Sequence, residues 1–210
     1  MTKVKICGLK SLADVAIVNK YLPEYVGFVF ADTKRKVSDE LAREMKRQLD
    51  TRIQTVGVFV NEPKEHIVAL CRQGVLDMVQ LHGDEDKAYI TALKREIQAP
   101  IMKAIRVQST GQVKEELQND ADFWLFDTYK KGVYGGSGER FSLSFLQEIL
   151  DTETMQRPFF IAGGLDAQNV REVLEQTACA GVDVSSGVET DGRKDEAKVR
   201  EFIQRVHKKA

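Results

Sequence analysis

The sequence predicts an α/β protein, and within that class a single (β/α)8 barrel, the TIM barrel, spanning residues 1–210. Three observations predict it. Short apolar runs and amphipathic runs alternate eight times along the chain. The apolar runs are nearly continuous, as in parallel strands buried on both faces. Polar residues and glycines gather where each apolar run ends, as they do at the mouth of such a barrel.

In chain order, Lys3-Val4-Lys5-Ile6-Cys7 is a first strand, with Val4 and Ile6 on one side and Lys5 and Cys7 on the other. Gly8 turns the chain and Ser11 caps a helix to Lys20. Residues Tyr25 to Phe30 form a second strand, followed by a polar loop from Ala31 to Val37. Ser38 then caps an amphipathic helix from Asp39 to about Leu49, with Leu41, Ala42, Met45 and Leu49 inward. Gln54 to Val60 is the third strand, and Asn61 caps the next helix with Pro63 in its first turn. That helix ends near Gly74.

Met78 to His82 is the fourth strand, followed by Gly83 and an acidic helix start running to about Ile97. Ile101 to Ile105, Phe123 to Phe126, Phe159 to Ala162 and Gly181 to Val184 are strands five to eight. Helices are expected over Gly111–Leu117, Leu143–Leu150, Ala167–Glu175 and Asp195–Val206. The length of 210 residues is near the short end for the barrel, so its loops must be lean. An open doubly wound sheet is the competing architecture, but Gly8 alone is not the glycine fingerprint expected after its first strand.

With 31 basic and 32 acidic residues the net charge is −1, and no global field favours nucleic acid or an anionic membrane. No apolar run approaches the roughly 18–20 residues that span a bilayer. The N-terminus enters a strand-like run directly, so no signal peptide is expected, and a cytoplasmic enzyme is. Three scattered cysteines argue against a disulfide framework, and no CxxC or HxxxH spacing suggests a metal, so neither a metal nor a cofactor is expected.

The strand ends carry Cys7, Arg35, Asn61, His82, Arg106, Asp127, Gly163-Gly164 and Ser185-Ser186-Gly187. A thiolate at Cys7 can act as base or nucleophile, although a lone cysteine is more often buried packing. Asp127 ends an apolar strand, where desolvation would let its carboxyl hold a proton for general acid work, with a helix cap or salt bridge as the plainer use. Arg35 lies in a charge run that by itself reads as surface, yet one arginine above a barrel mouth can grip a carboxylate. His82 can line the pocket. The glycine pair and the Ser-Ser-Gly turn follow strands seven and eight, where this fold binds phosphate on backbone N–H groups. Gly135-Gly136-Ser137-Gly138 resembles a phosphate loop in composition, without the lysine of a P-loop. His66, His207, Cys71 and Cys179 are assigned no chemistry.

Together these residues resemble the phosphoribosylanthranilate isomerase family of tryptophan biosynthesis. The matching pieces are Lys5-Ile6-Cys7-Gly8, Gly27-Phe28-Val29-Phe30, Arg35, Val56 to Asn61, Gln80-Leu81-His82-Gly83, Asp127-Thr128, Gly135 to Gly138, Gly163-Gly164-Leu165 and Val182 to Glu189. They span the chain in family order. The resemblance implies an Amadori rearrangement of N-(5-phosphoribosyl)anthranilate to the 1-deoxyribulose 5-phosphate. Asp127 would protonate the ring oxygen and Cys7 would remove the C2′ proton. Arg35 would bind the anthranilate carboxylate, and His82 would line that side. The backbone at Gly136, Gly164 and Ser186 would hold the phosphate, with Gly163, Ser185 and Gly187 beside it. Thr33 stands where the family often has Ser, and Ala162 where Ser is common, which puts a phosphate contact from position 162 in doubt.

The expected partner is a phosphorylated small molecule, and the expected assembly a monomer or homodimer. Two other functions compete. A metal-dependent sugar-phosphate epimerase would use Cys7, His82 and Asp127 as ligands, but should carry more than one histidine at the mouth. A non-catalytic phosphate-ligand sensor would have no need of a facing proton donor and acceptor.

Overall fold

The computed structural model describes residues 1–107, 109–128, 148–151 and 155–208. Eight parallel strands close into a barrel: β1 (Lys3–Cys7), β2 (Tyr25–Val29), β3 (Gln54–Phe59), β4 (Met78–Leu81), β5 (Ile101–Val107), β6 (Phe123–Thr128), β7 (Phe159–Ile161) and β8 (Gly181–Val184). β1 pairs with both β2 and β8, so the sheet has no edge, and the open doubly wound alternative is excluded. Outside the barrel lie α1 (Leu12–Tyr21), α2 (Asp39–Gln48), α3 (Lys64–Arg72), α4 (Lys87–Lys94), α5 (Thr110–Glu116), α6 (Val170–Gln176) and α7 (Glu196–His207). Residues 148–151 are helical, and the remainder of the helix expected from Leu143 lies outside the described residues.

Local chemistry starts these helices. Ser11, Ser38, Asp86, Ser109 and Asp195 each accept a backbone N–H of the first turn, which satisfies donors that the helix itself cannot. Asn61 does not cap α3 as expected. It adopts φ 51° and accepts the Asp84 N–H at 2.7 Å, tying the end of β3 to the loop after β4, while Pro63 takes the cap position with no side-chain bond. α4 ends at Lys94, short of Ile97, and a further turn carries Ile97 into the core. A short antiparallel hairpin, β9 (Glu189–Thr190) with β10 (Arg193–Lys194), follows β8; its turn is Asp191-Gly192, both at positive φ, a two-residue hairpin signal that the strand-by-strand reading passed over.

Side-chain alternation divides each strand between two cores. The outward residues, such as Val4, Ile6, Val26, Phe28, Val79 and Leu81, pack under the helices. The inward residues Tyr25, Val56, Met78, Met102, Ala104, Leu125 and Phe160 fill the lower barrel. Above them Cys7, Val29, Ala31 and Val58 form an apolar wall at the carboxyl end. Cys179 is buried in the outer core and Cys71 packs against it.

His66 on α3 pins two elements. Its Nε2 lies 2.9 Å from Asp39 on α2 and its Nδ1 2.7 Å from Glu62, while its ring meets Phe30 and Phe59 edge-on. Burial opposes its charging, but the two carboxylates outweigh burial and raise its pKa. A raised folded-state pKa gives stability that is full below the unfolded value and is lost as pH rises through the folded one. The stability advantage of wild type over His66→Gln should therefore be full below the ordinary imidazole value of about 6.5 and shrink as pH rises through the raised folded-state value, read by thermal unfolding. A pH-independent difference would contradict this.

Candidate active site

The carboxyl ends of the strands open onto one cavity, and alternation decides what faces it. Cys7 ends β1, Asp127 is inward on β6, and Asp183 is inward on β8. Gln80 on β4 and His82 just beyond it continue the same inward row. Arg35, Ala162, Gly163, Gly164, Ser185 and Ser186 complete the rim. The structure thus gathers Cys7, Arg35, His82, Asp127, Gly163, Gly164, Ser185 and Ser186 around one space. Gly187 stands outside the wall, with the Leu165 carbonyl where its side chain would be. Arg106 faces a neighbouring cavity and pairs with Asp84 at 2.6 Å. Gly136 and the loop of Gly135 to Gly138 lie outside the described residues.

Cys7 is almost fully buried, and the chain beside it is glycine for a steric reason. A Cβ on Gly27 would stand 2.7 Å from the Cys7 sulfur. Burial pushes the Cys7 thiol above its ordinary value, the Lys5 ammonium pulls it back, Asp183 adds to the rise and Lys194 opposes it. Lys5 is wholly buried and bonds the Asp183 carboxylate at 3.0 Å.

Asp127, 4% exposed, bonds His82 Nε2 at 3.1 Å, and Gln80 Nε2 lies 3.0 Å from His82 Nδ1. With Gln80 donating to Nδ1, the proton of a neutral His82 sits on Nε2 and points at Asp127 Oδ2. Any proton that Asp127 carries then sits on its other oxygen. Gln80 Oε1 and Asp183 Oδ1 are buried acceptors without a partner, which suits a ligand that brings hydroxyl donors.

A second buried network holds the rim. Glu189 receives Arg35 through Nε at 2.9 Å and Nη2 at 2.8 Å. Lys194, with no exposed side-chain surface, donates to Glu189 at 2.8 Å, to the Cys7 carbonyl at 2.6 Å and to the Ser185 carbonyl at 3.1 Å. Burial works against the charge of Glu189, yet Arg35 and Lys194 hold its pKa down to about 2. The arginine expected at the mouth is therefore held by a carboxylate while it lines the cavity. On the adjoining part of the rim, after β7, Gly163 and Gly164 both take positive φ, 97° and 62°, which turns the chain so that successive N–H groups can meet an anion.

Lys5, Gln80, Asp183, Glu189 and Lys194 were not singled out by sequence reasoning. For Lys5, Gln80 and Asp183 the signal was available, since each lies two residues before a recognised mouth residue on the same strand face. Glu189 and Lys194 depend on the hairpin.

The neighbouring cavity, about 410 Å³, is lined by Asp84, Glu85, Lys103 and Glu116 among others. Its buried cation, Lys103, is tied to Glu85 at 3.0 Å and to the Gly83 carbonyl at 2.6 Å.

Residues 4–205 match the family described as N-(5′-phosphoribosyl)anthranilate (PRA) isomerase. The chain is 52% identical over 208 residues to the N-(5′-phosphoribosyl)anthranilate isomerase of Lachnoclostridium phytofermentans, covering 96% of this chain and 95% of that protein. It superposes on phosphoribosyl anthranilate isomerase from Thermotoga maritima with TM-score 0.85 and 32% identity, covering 98% of each chain. It is also similar, with TM-score 0.81, 31% identity and 98% of each chain covered, to a phosphoribosyl anthranilate isomerase solved with reduced 1-(o-carboxyphenylamino)-1-deoxyribulose 5-phosphate.

Removing the carboxylate that joins Arg35 to Lys194 leaves two cations without their partner. Glu189→Leu should cost on the order of 3 kcal/mol in urea unfolding, the range for breaking a buried pair. A loss below about 1 kcal/mol, typical of exposed pairs, would contradict the network's role.

Proposed function

The chain belongs to the phosphoribosylanthranilate isomerase family, enzymes of tryptophan biosynthesis, and we propose that it rearranges N-(5-phosphoribosyl)anthranilate with Asp127 as acid and Cys7 as base. One observation carries the assignment of roles. A thiol from β1 and a carboxyl from β6 line the same cavity, beside a glycine-rich rim fit for phosphate.

Asp127 gives its proton to the furanose ring oxygen as the C1′–O bond breaks, and the nitrogen lone pair forms a Schiff base. The Cys7 thiolate then takes the C2′ proton, and the electron pair of that bond moves to give the enolamine. Protonation at C1′, with loss of the C2′ hydroxyl proton as the C=O bond forms, yields the ketone. His82, donating to Asp127 Oδ2, orients the acid so that its proton lies on the oxygen toward the substrate. The apolar wall of Val29, Ala31 and Val58 suits the anthranilate ring. Arg35, aimed by Glu189, offers Nη1 to the carboxylate. The backbone at Gly136, Gly164 and Ser186, with Gly163, Ser185 and Gly187 beside it, takes the phosphate.

The partner is this phosphorylated small molecule, handled by a monomer or homodimer in the cytoplasm. No helix among the described residues is long and apolar enough to cross a membrane. Among the described residues, no group of three or more His, Cys, Asp and Glu side chains is arranged to hold a metal. The epimerase alternative is tested by adding a chelator to the assay.

Incubation with freshly made phosphoribosylanthranilate should consume anthranilate-type fluorescence at the same rate with and without chelator. Cys7→Ala and Asp127→Asn should each lower kcat at least about a hundredfold in a folded protein. A residual rate within about tenfold of wild type would remove that residue from its role. Arg35→Ala should act on kcat/KM chiefly through KM, and an unchanged KM would return Arg35 to a purely structural tie with Glu189.

A further inference from the structure

The mechanism above uses neither Lys5 nor Asp183, yet they form a buried ion pair directly beneath the thiol. Lys5 and Asp183 are register partners across the β1–β8 seam, and Lys5 Nζ lies 3.0 Å from Asp183 Oδ2. Lys5 and Cys7 are two residues apart on β1, so both point inward, and the ammonium lies in the layer beneath the sulfur, close enough to act on it electrostatically. An apolar pair would fill this layer at no electrostatic cost, since buried ion pairs are often neutral or unfavourable against well-packed hydrophobic residues. The rest of the lower barrel is filled that way, by Tyr25, Val56, Met78, Met102, Leu125 and Phe160. The charge at Lys5 therefore calls for a use other than packing.

We propose that Lys5 is a positioning residue for the reaction: its buried ammonium, held by Asp183 under Cys7, stabilises the thiolate that acts as base. The inference rests on the reading of Cys7 as that base. Other charged groups face the sulfur. Lys194 and Arg35 lie above it on the β9–β10 hairpin and the loop after β2, and His82 and Asp127 line the cavity it opens onto. Lys194 is occupied by two carbonyls and Glu189, and Arg35 by Glu189. Asp183 spends one oxygen on Lys5, and its other oxygen is buried without a partner. Lys5 is thus the cation with the fewest competing contacts. Burial opposes its charge, but Asp183 and Cys7 outweigh that and keep it protonated.

The test follows the thiol and not turnover. Iodoacetamide alkylation of Cys7, resolved from Cys71 and Cys179 by peptide mass spectrometry, is measured against pH in wild type and Lys5→Met. On the rising limb Cys7 should alkylate about tenfold more slowly in Lys5→Met, with the limb moved about one unit up. Because Lys5→Met strands Asp183, Lys5→Met with Asp183→Asn is measured alongside and should shift in the same direction, while Lys5→Arg should restore the wild-type limb. An unchanged limb in a folded variant would overturn the inference. Failure of Cys7 as base would appear elsewhere, as retained turnover in Cys7→Ala with the alkylation shift intact.

Discussion

Pairing of β1 with β8 is the constraint on which the site depends. Without that seam the first and last strands would be opposite edges of a sheet, and Cys7 would lie far from Asp183 and Ser185. With it, a cross-strand register that sets Lys5 against Asp183 also sets Cys7 beside the Ser185 turn, whose hydroxyl donates to the Cys7 carbonyl at 3.1 Å. The period-two alternation of strands then turns Lys5 and Cys7, Gln80 and His82, and Leu125 and Asp127 toward one axis. Geometry, more than any single contact, gathers residues from the whole length of the chain.

Charge is distributed within that geometry in two layers. Below the thiol, Lys5 and Asp183 occupy a place that barrels of this kind fill with branched apolar side chains. Above it, Lys194 joins the Cys7 and Ser185 carbonyls to Glu189, and Glu189 joins Arg35. Lys5, Asp183, Lys194 and Glu189 have little or no exposed side-chain surface, so each charge depends on its partner, while Arg35 keeps some contact with solvent. The two networks act on the same residue with opposite requirements. Burial that excludes water from the cavity also raises the thiol's pKa, and the cations around it are the physical counterweight.

Much of this was legible in the sequence because the fold has a strong period. Alternating apolar and amphipathic runs placed the eight strands within a residue or two, and Ser11, Ser38 and Asp195 marked helix starts by local bonding alone. Cys7 and Asp127 each have a plain structural use taken singly, and stood out because a barrel brings all its strand ends to one mouth. Asn61 misled, because its side chain bonds across to Asp84 in place of its own helix, a choice that only tertiary structure makes. Lys5 reads in sequence as one more lysine in a Lys-Val-Lys strand, and its burial follows only once the barrel closes around it. Glu189 and Lys194 are near neighbours in sequence, but their meeting with Arg35 across 154 residues is a property of the closed fold.

The central claim is spatial: the sulfur and the carboxyl address two different atoms of one bound sugar. It is tested most directly by the structure of this protein with a reduced, non-reacting analogue of the rearranged product. The Cys7 sulfur should contact the carbon corresponding to C2′, an Asp127 oxygen should lie within hydrogen-bonding reach of the oxygen derived from the ring, and the phosphate should sit on the Gly163–Gly164 and Ser185–Ser186 turns. An analogue bound with its phosphate away from those turns, or with the sulfur and the carboxyl both remote from the sugar carbons, would contradict it.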